Sequence, residues 1–251
     1  MLEQLVEDRS RDLQAPPVPE SSVERSPRRS FLRKAATAAV IAPAAAMIGA
    51  RKSHAGGGGP RLRDLYPGWT RTNFEAIQSD ENAHVNYLVN ALGSSARPIP
   101  TFQNLQQPNE VAFAEVARAL ENTGCGAYTG AIPYLQQFNP GLIPAAASIG
   151  FIEARHSGFL NTLIDLTVND DILNEESSFE ISLTPQQVVN LAGPFVANLN
   201  GGPPLIPMGG FTNAAQVLNF ALALEYLEAT FYNINVPIFF PVEALGGRRR
   251  R

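Results

Sequence analysis

An all-α four-helix bundle is the fold this sequence predicts, and three observations carry that prediction. Four long stretches repeat apolar residues at helical spacing. Two of them place a glutamate three residues ahead of a histidine, as Glu81-Asn82-Ala83-His84 and Glu153-Ala154-Arg155-His156. The other two carry glutamates among apolar neighbours, Glu121 on one and Glu225 and Glu228 on the other. On a helix a spacing of three puts both side chains on one face, so each Glu-x-x-His motif aims a carboxylate and an imidazole at one point. Two such motifs plus one glutamate from each of two further helices make a di-iron or di-manganese ligand set inside a bundle. Coincidence is a poor explanation. Glutamate fills 12 of the 196 positions from Gly56 on, so the odds that both histidines have one at i−3 are roughly (12/196)², about 0.4%.

Residues 1–55 read as a leader rather than as fold. Ser26-Pro27-Arg28-Arg29-Ser30-Phe31-Leu32-Arg33-Lys34 precedes an apolar run, Ala35 to Ala50, that is too short and alanine-rich to span a bilayer comfortably. Ser53-His54-Ala55 supplies a small-x-small pattern before a cut at Gly56. This segment resembles a twin-arginine (Tat) export signal peptide. The resemblance implies transient contact with the Tat machinery, export of a folded and metal-loaded chain, and a periplasmic or extracellular location. An amphipathic anchor that stays attached is the other reading. His54 leaves with the leader, so only His84 and His156 need explaining.

Removing the leader changes the charge. Residues 1–55 hold nine Arg/Lys against six Asp/Glu; the rest holds ten against seventeen, a net of −7. Four of those ten are Arg248 to Arg251, in a basic tail (241–251) that reads as disordered. A body this poor in cations argues against nucleic acid as a partner. The single cysteine, Cys125, excludes an intramolecular disulfide.

The elements follow in order. Residues 56–71 read as a flexible junction, and 72–240 as one bundle domain. Phe74, Ile77, Val85, Leu88 and Leu92 predict a first helix over 72–92, stopped by Gly93. Pro98, Pro100 and Pro108 mark an extended connection. A second helix, about 109–137, is small and apolar, with Gly124, Gly126 and Gly130 where a helix prefers none; close helix–helix approach would account for them. After Asn139-Pro140-Gly141 a third helix spans about 141–166. Residues 167–183 are acidic and irregular. Thr184-Pro185-Gln186-Gln187 starts a short accessory helix to about Ala197. Another Gly/Pro-rich loop leads to the last helix, about 212–234.

Burying Glu225 and Glu228 among Leu224, Leu227 and Phe231 is costly without a cation, and a body with so few arginines points to a metal ion. The same holds for Glu121. A lone histidine is by default a satisfied core residue; two in the same motif are not. Tyr128 and Tyr232 each lie seven residues after a candidate ligand and read as core packing ahead of a hydrogen-bonding or redox role. Cys125, one turn beyond Glu121, reads as a small packing residue rather than a ligand.

At these residues the sequence resembles the bacterial ferritin-like domain family, which includes desiccation-related and Tat-exported proteins. The run Leu218-Asn219-Phe220-Ala221-Leu222-Ala223-Leu224-Glu225-Tyr226-Leu227-Glu228-Ala229-Thr230-Phe231-Tyr232 carries most of the likeness, with Leu120 to Ala131 and the Glu153–His156 helix. The resemblance implies a dinuclear metal site of Glu81, His84, Glu121, Glu153, His156 and Glu225, with Glu228 as substitute for Glu225. In the family the Leu-Glu-Tyr-Leu-Glu helix comes first, whereas here it comes last. The resemblance therefore implies a ferritin-like four-helix bundle with helix order 2-3-4-1, a circular permutation with long crossover loops. The 45 residues between Thr167 and Phe211 are long enough for the crossing this order needs. A homodimer and a last helix exchanged between subunits both stay open.

The expected cofactor is two divalent metal ions, iron ahead of manganese, although the donor types alone accept either. Three functions remain: a dinuclear oxidoreductase acting on Fe(II), O2 or peroxide, a metal-binding protein without turnover, and a desiccation-associated structural bundle.

Overall fold

The structure, a computed structural model, describes residues 62–241. The expected leader, and the basic tail beyond residue 241, lie outside the described residues. Within them the chain forms helices α1 (Trp69–Leu92), α2 (Glu110–Phe138), α3 (Ile143–Leu163), α4 (Pro185–Ala192) and α5 (Ala214–Phe239). Two short strands, β1 (Thr101–Phe102) and β2 (Val196–Asn198), pair antiparallel.

Local chemistry sets each boundary. α1 starts three residues earlier than its apolar pattern, because Asp64 accepts from the Thr70 N–H at 2.8 Å and the Gly68 N–H at 3.2 Å. Residues 62–68, inside the expected junction, are thus held by hydrogen bonds. Gly93, at φ +54°, ends the helix in a conformation that glycine adopts cheaply. Asn109 caps α2 through the Ala112 N–H at 2.9 Å. α3 stops at Leu163 rather than 166. Asp165 takes φ +63°, and the Asn161 amide donates to the Asp170 carbonyl at 2.9 Å, turning the chain away. α4 opens with the reciprocal Thr184/Gln187 capping box. α5 runs past the expected 234 to Phe239, with Pro237 tolerated in its last turn. There Phe239 stacks on Phe113 and Phe240 on Phe74, with ring centroids 5.6 and 5.2 Å apart.

The long helices assemble as two pairs, α1 with α5 and α2 with α3, and α5 also lies against α2. Gln78 meets Asn233 while Arg97 meets Asn219, so α1 and α5 run antiparallel. Arg118 meets Asn161 while Gly150 abuts Tyr128, so α2 and α3 do too. Phe74 and Phe113, near the starts of α1 and α2, are 4.7 Å apart. Hence α3 ends and α5 begins at opposite ends of the bundle, about 30 Å apart for helices of this length. The connection over 164–213 crosses that distance, laying α4 on α2 and β2 beside β1.

Two of the three α2 glycines serve this crossing, not the expected helix–helix contact. A side chain at Gly126 or Gly130 would collide with Leu183, whose N–H donates to the Gly126 carbonyl at 2.9 Å. The third, Gly124, faces the Glu153 carboxylate across the bundle.

Candidate metal centre

All six residues expected from the sequence meet in the middle of the bundle. α1 brings Glu81 and His84, α2 brings Glu121, α3 brings Glu153 and His156, and α5 brings Glu225. Their ligand-type atoms fall into two groups, each within 4.8 Å: Glu81, Glu121, Glu153 and His156, and Glu81, His84, Glu153 and Glu225. Glu81 and Glu153 belong to both. The four carboxylates are fully buried, so no water screens their mutual repulsion.

The imidazoles show what the arrangement can do. His84 Nδ1 lies 3.1 Å from Glu81, 3.3 Å from Glu153 and 3.3 Å from Glu225. His156 Nδ1 lies 3.0 Å from Glu81 and 3.1 Å from Glu121. A ring nitrogen carries at most one proton and cannot serve several carboxylates at once. A metal ion can: donor atoms about 2.1 Å from an ion and 90° apart are roughly 3.0 Å from one another. Among the buried oxygens, Glu81 Oε1, Glu153 Oε1 and Glu225 Oε2 have no partner beyond the shared imidazole contacts just given, and Glu153 Oε2 has no hydrogen-bond partner. Such atoms are costly unless a cation takes them. Four carboxylates and two neutral imidazoles match two divalent ions in charge as well as in donor type, so the residues fit a dinuclear centre.

Without metal, protons take up part of the excess charge. Burial, then the charge on Glu121, pushes the Glu81 carboxyl up to about 7 against the pull of both histidines. Burial, then Glu81 and Glu121, holds Glu153 well above the carboxylate range. Burial disfavours charged imidazoles, yet Glu121 and Glu81 raise His156 to about 12, and Glu153, Glu225 and Glu81 raise His84 further.

Three residues around the centre depart from the sequence reading or were missed by it. Tyr128 donates to Glu225 Oε1, and Tyr232 donates to Glu121 Oε1 at 2.5 Å, so both tyrosines hold carboxylates of the cluster rather than only fill the core. Asp80, half exposed on α1, lies 3.2 Å from His156 Nε2. A proton on Nε2 facing Asp80 leaves Nδ1 free to ligate. Nothing in the motif marks Asp80, because its contact crosses from α1 to α3. Cys125 is buried and joins neither group, as its packing reading requires.

A family model described as a ferritin-like domain matches residues 29–166, more than half of the chain. The chain belongs to the ferritin-like family. The matched stretch contains Glu81, His84, Glu121, Glu153 and His156 of the ferritin-like centre; Glu225, on α5, lies beyond it. No curated protein and no solved structure matches the chain.

Proposed function

We propose that this ferritin-like protein binds two divalent metal ions, iron ahead of manganese, and acts as an oxidoreductase on Fe(II) with O2 or peroxide. The observation that carries the reading is the convergence of each histidine Nδ1 with several carboxylates, around two positions that share Glu81 and Glu153. When bound, such ions supply electrons and bind and polarise oxygen species. The chain's own residues do the rest. Glu81, Glu121, Glu153 and His156 would hold one ion, and Glu81, His84, Glu153 and Glu225 the other. Tyr128 and Tyr232 fix the Glu225 and Glu121 carboxylates, and Asp80 sets the tautomer of His156. Export through the Tat route, which carries folded chains, would deliver the centre already loaded; the twin-arginine segment supports this. The helix order is read as permuted, a reading supported by the Leu-Glu-Tyr-Leu-Glu run standing on the last helix and by the packing of that helix against α1 and α2.

Metal analysis of the mature protein, purified under defined iron and manganese, tests the centre. About two equivalents are expected from the two groups. Less than roughly a tenth of an equivalent, unchanged in a His84→Ala/His156→Ala double variant, would remove the dinuclear reading. Fe(II)/O2 and peroxide assays then separate turnover from storage. Bound metal without turnover makes this a metal-binding protein, and a stable metal-free bundle makes it a structural one.

A further inference from the structure

Two groups of four residues account for every buried carboxylate at the centre except one. Glu228 follows Glu225 by three residues on α5, so the two share a face. It is buried, and its Oε2 is enclosed without a hydrogen-bond partner. Its other oxygen faces Gly124 of α2. A methyl group at Gly124 would run into Glu153 Oε2 and would stand 3.4 Å from Glu228 Oε1. The two carboxylates therefore converge over the one α2 position that has no side chain to separate them. The buried arginines are engaged elsewhere: Arg97 with Asn219 and Pro203, and Arg118 with Asn161, Asn174 and Asp171.

Burial, then the charges on Glu153, Glu81, Glu121 and Glu225, raises the Glu228 carboxyl well above the usual range. Glu228 is the buried oxygen donor that neither group uses.

We propose that Glu228 is a seventh ligand residue of the centre, a carboxylate that joins the shared Glu153 on the face opened by Gly124. It is an addition to Glu225 and not a substitute for it. The proposal rests on the dinuclear reading. Gly124 is then a specificity position, because a side chain there would push Glu153 and Glu228 apart.

Co(II) is the probe, because its visible absorption strengthens as coordination number falls. The mature protein and its Glu228→Gln and Glu228→Leu variants are stripped of metal, checked by thermal melting and titrated with Co(II). The expected result is two equivalents in all three, with affinity at least about 10-fold weaker in both variants and a stronger visible band per ion. Glu228→Asp should recover part of the affinity and lower the band. Spectra that superimpose across the set overturn the proposal even where affinity changes, because a purely electrostatic role alters affinity without altering coordination. A variant whose metal-free form fails to melt cooperatively is judged by the spectrum of the Glu228→Asp chain, which either differs from the unaltered one or does not. Failure of the unaltered protein to bind Co(II) removes the dinuclear centre itself, an outcome distinct from failure at Glu228.

Discussion

The His156 group and the His84 group each combine Glu81, Glu153, one further glutamate and one imidazole, yet what stands behind the two imidazoles differs. His156 has carboxylates at both nitrogens, with Asp80 at Nε2 and the cluster at Nδ1. Among the described residues, His84 makes its carboxylate contacts through Nδ1 alone. The cause is visible one residue before each motif: Asp80 precedes Glu81, whereas Ile152 precedes Glu153. Two motifs that repeat their ligands do not repeat their support. The half of the centre backed by Asp80 should therefore hold its ion in the more defined geometry.

The largest effects should erase the comparison altogether. Glu81→Ala or Glu153→Ala removes a residue both groups use, and bound metal should fall from about two equivalents towards none. Retention of one full equivalent in either variant would show that the residue is not shared. Glu121→Ala and Glu225→Ala should each cost only about one equivalent, from opposite halves. Metal analysis of the four variants together reads both outcomes.

Asp80→Asn sharpens the comparison instead. It should weaken the His156 position about 10- to 100-fold and leave the His84 position within about twofold. Stepwise Mn(II) titration reads the two positions separately, and equal weakening of both would mean that Asp80 acts through net charge.

Acidity probes the centre as a whole. Glu81, Glu153 and Glu228, together with both histidines, hold protons more tightly in the folded chain than in the unfolded one. Their contribution to the stability of the metal-free protein is complete below the unfolded carboxyl value of 4.5. It declines as pH rises through about 7 for Glu81 and on towards about 12 for His156. Metal competes with those protons, so the stabilisation by added Mn(II) should grow over the same range. Melting temperatures at pH 5 and 8, with and without Mn(II), check both trends. A Glu81→Gln/Glu153→Gln variant should lose most of the metal-free decline.

The smallest effects belong to the tyrosines. Tyr128→Phe and Tyr232→Phe each remove one hydrogen bond to a buried carboxylate and should destabilise the metal-free fold by about 1.5–3 kcal/mol. Tyr128→Phe should disturb the His84 half and Tyr232→Phe the His156 half, because they hold Glu225 and Glu121 respectively. Denaturant unfolding of the metal-free variants measures the loss.

The candidate ligands are legible because helical periodicity carries them: Glu81 with His84, and Glu153 with His156, are paired by spacing alone, whatever surrounds them. The capping box at Thr184 is similarly local. The glycines were legible as anomalies but not in their purpose. Gly126 and Gly130 answer to Leu183, more than fifty residues away, and Gly124 answers to Glu153. The hydroxyl directions of Tyr128 and Tyr232 depend in the same way on how α2 and α5 face each other.

By itself, the sequence determined which stretches become helices and which carboxylates and imidazoles share a face on each, because both follow from interactions within a turn or two of the chain. Only the tertiary structure decided that Glu81 and Glu153 are common to both groups, that Asp80 backs one histidine and not the other, and that Glu153 and Glu228 both lie against Gly124. Those relations are set by the angle and register at which one helix meets another. No local rule along the chain encodes that register; it comes from packing the whole core and from the path of the connection over 164–213.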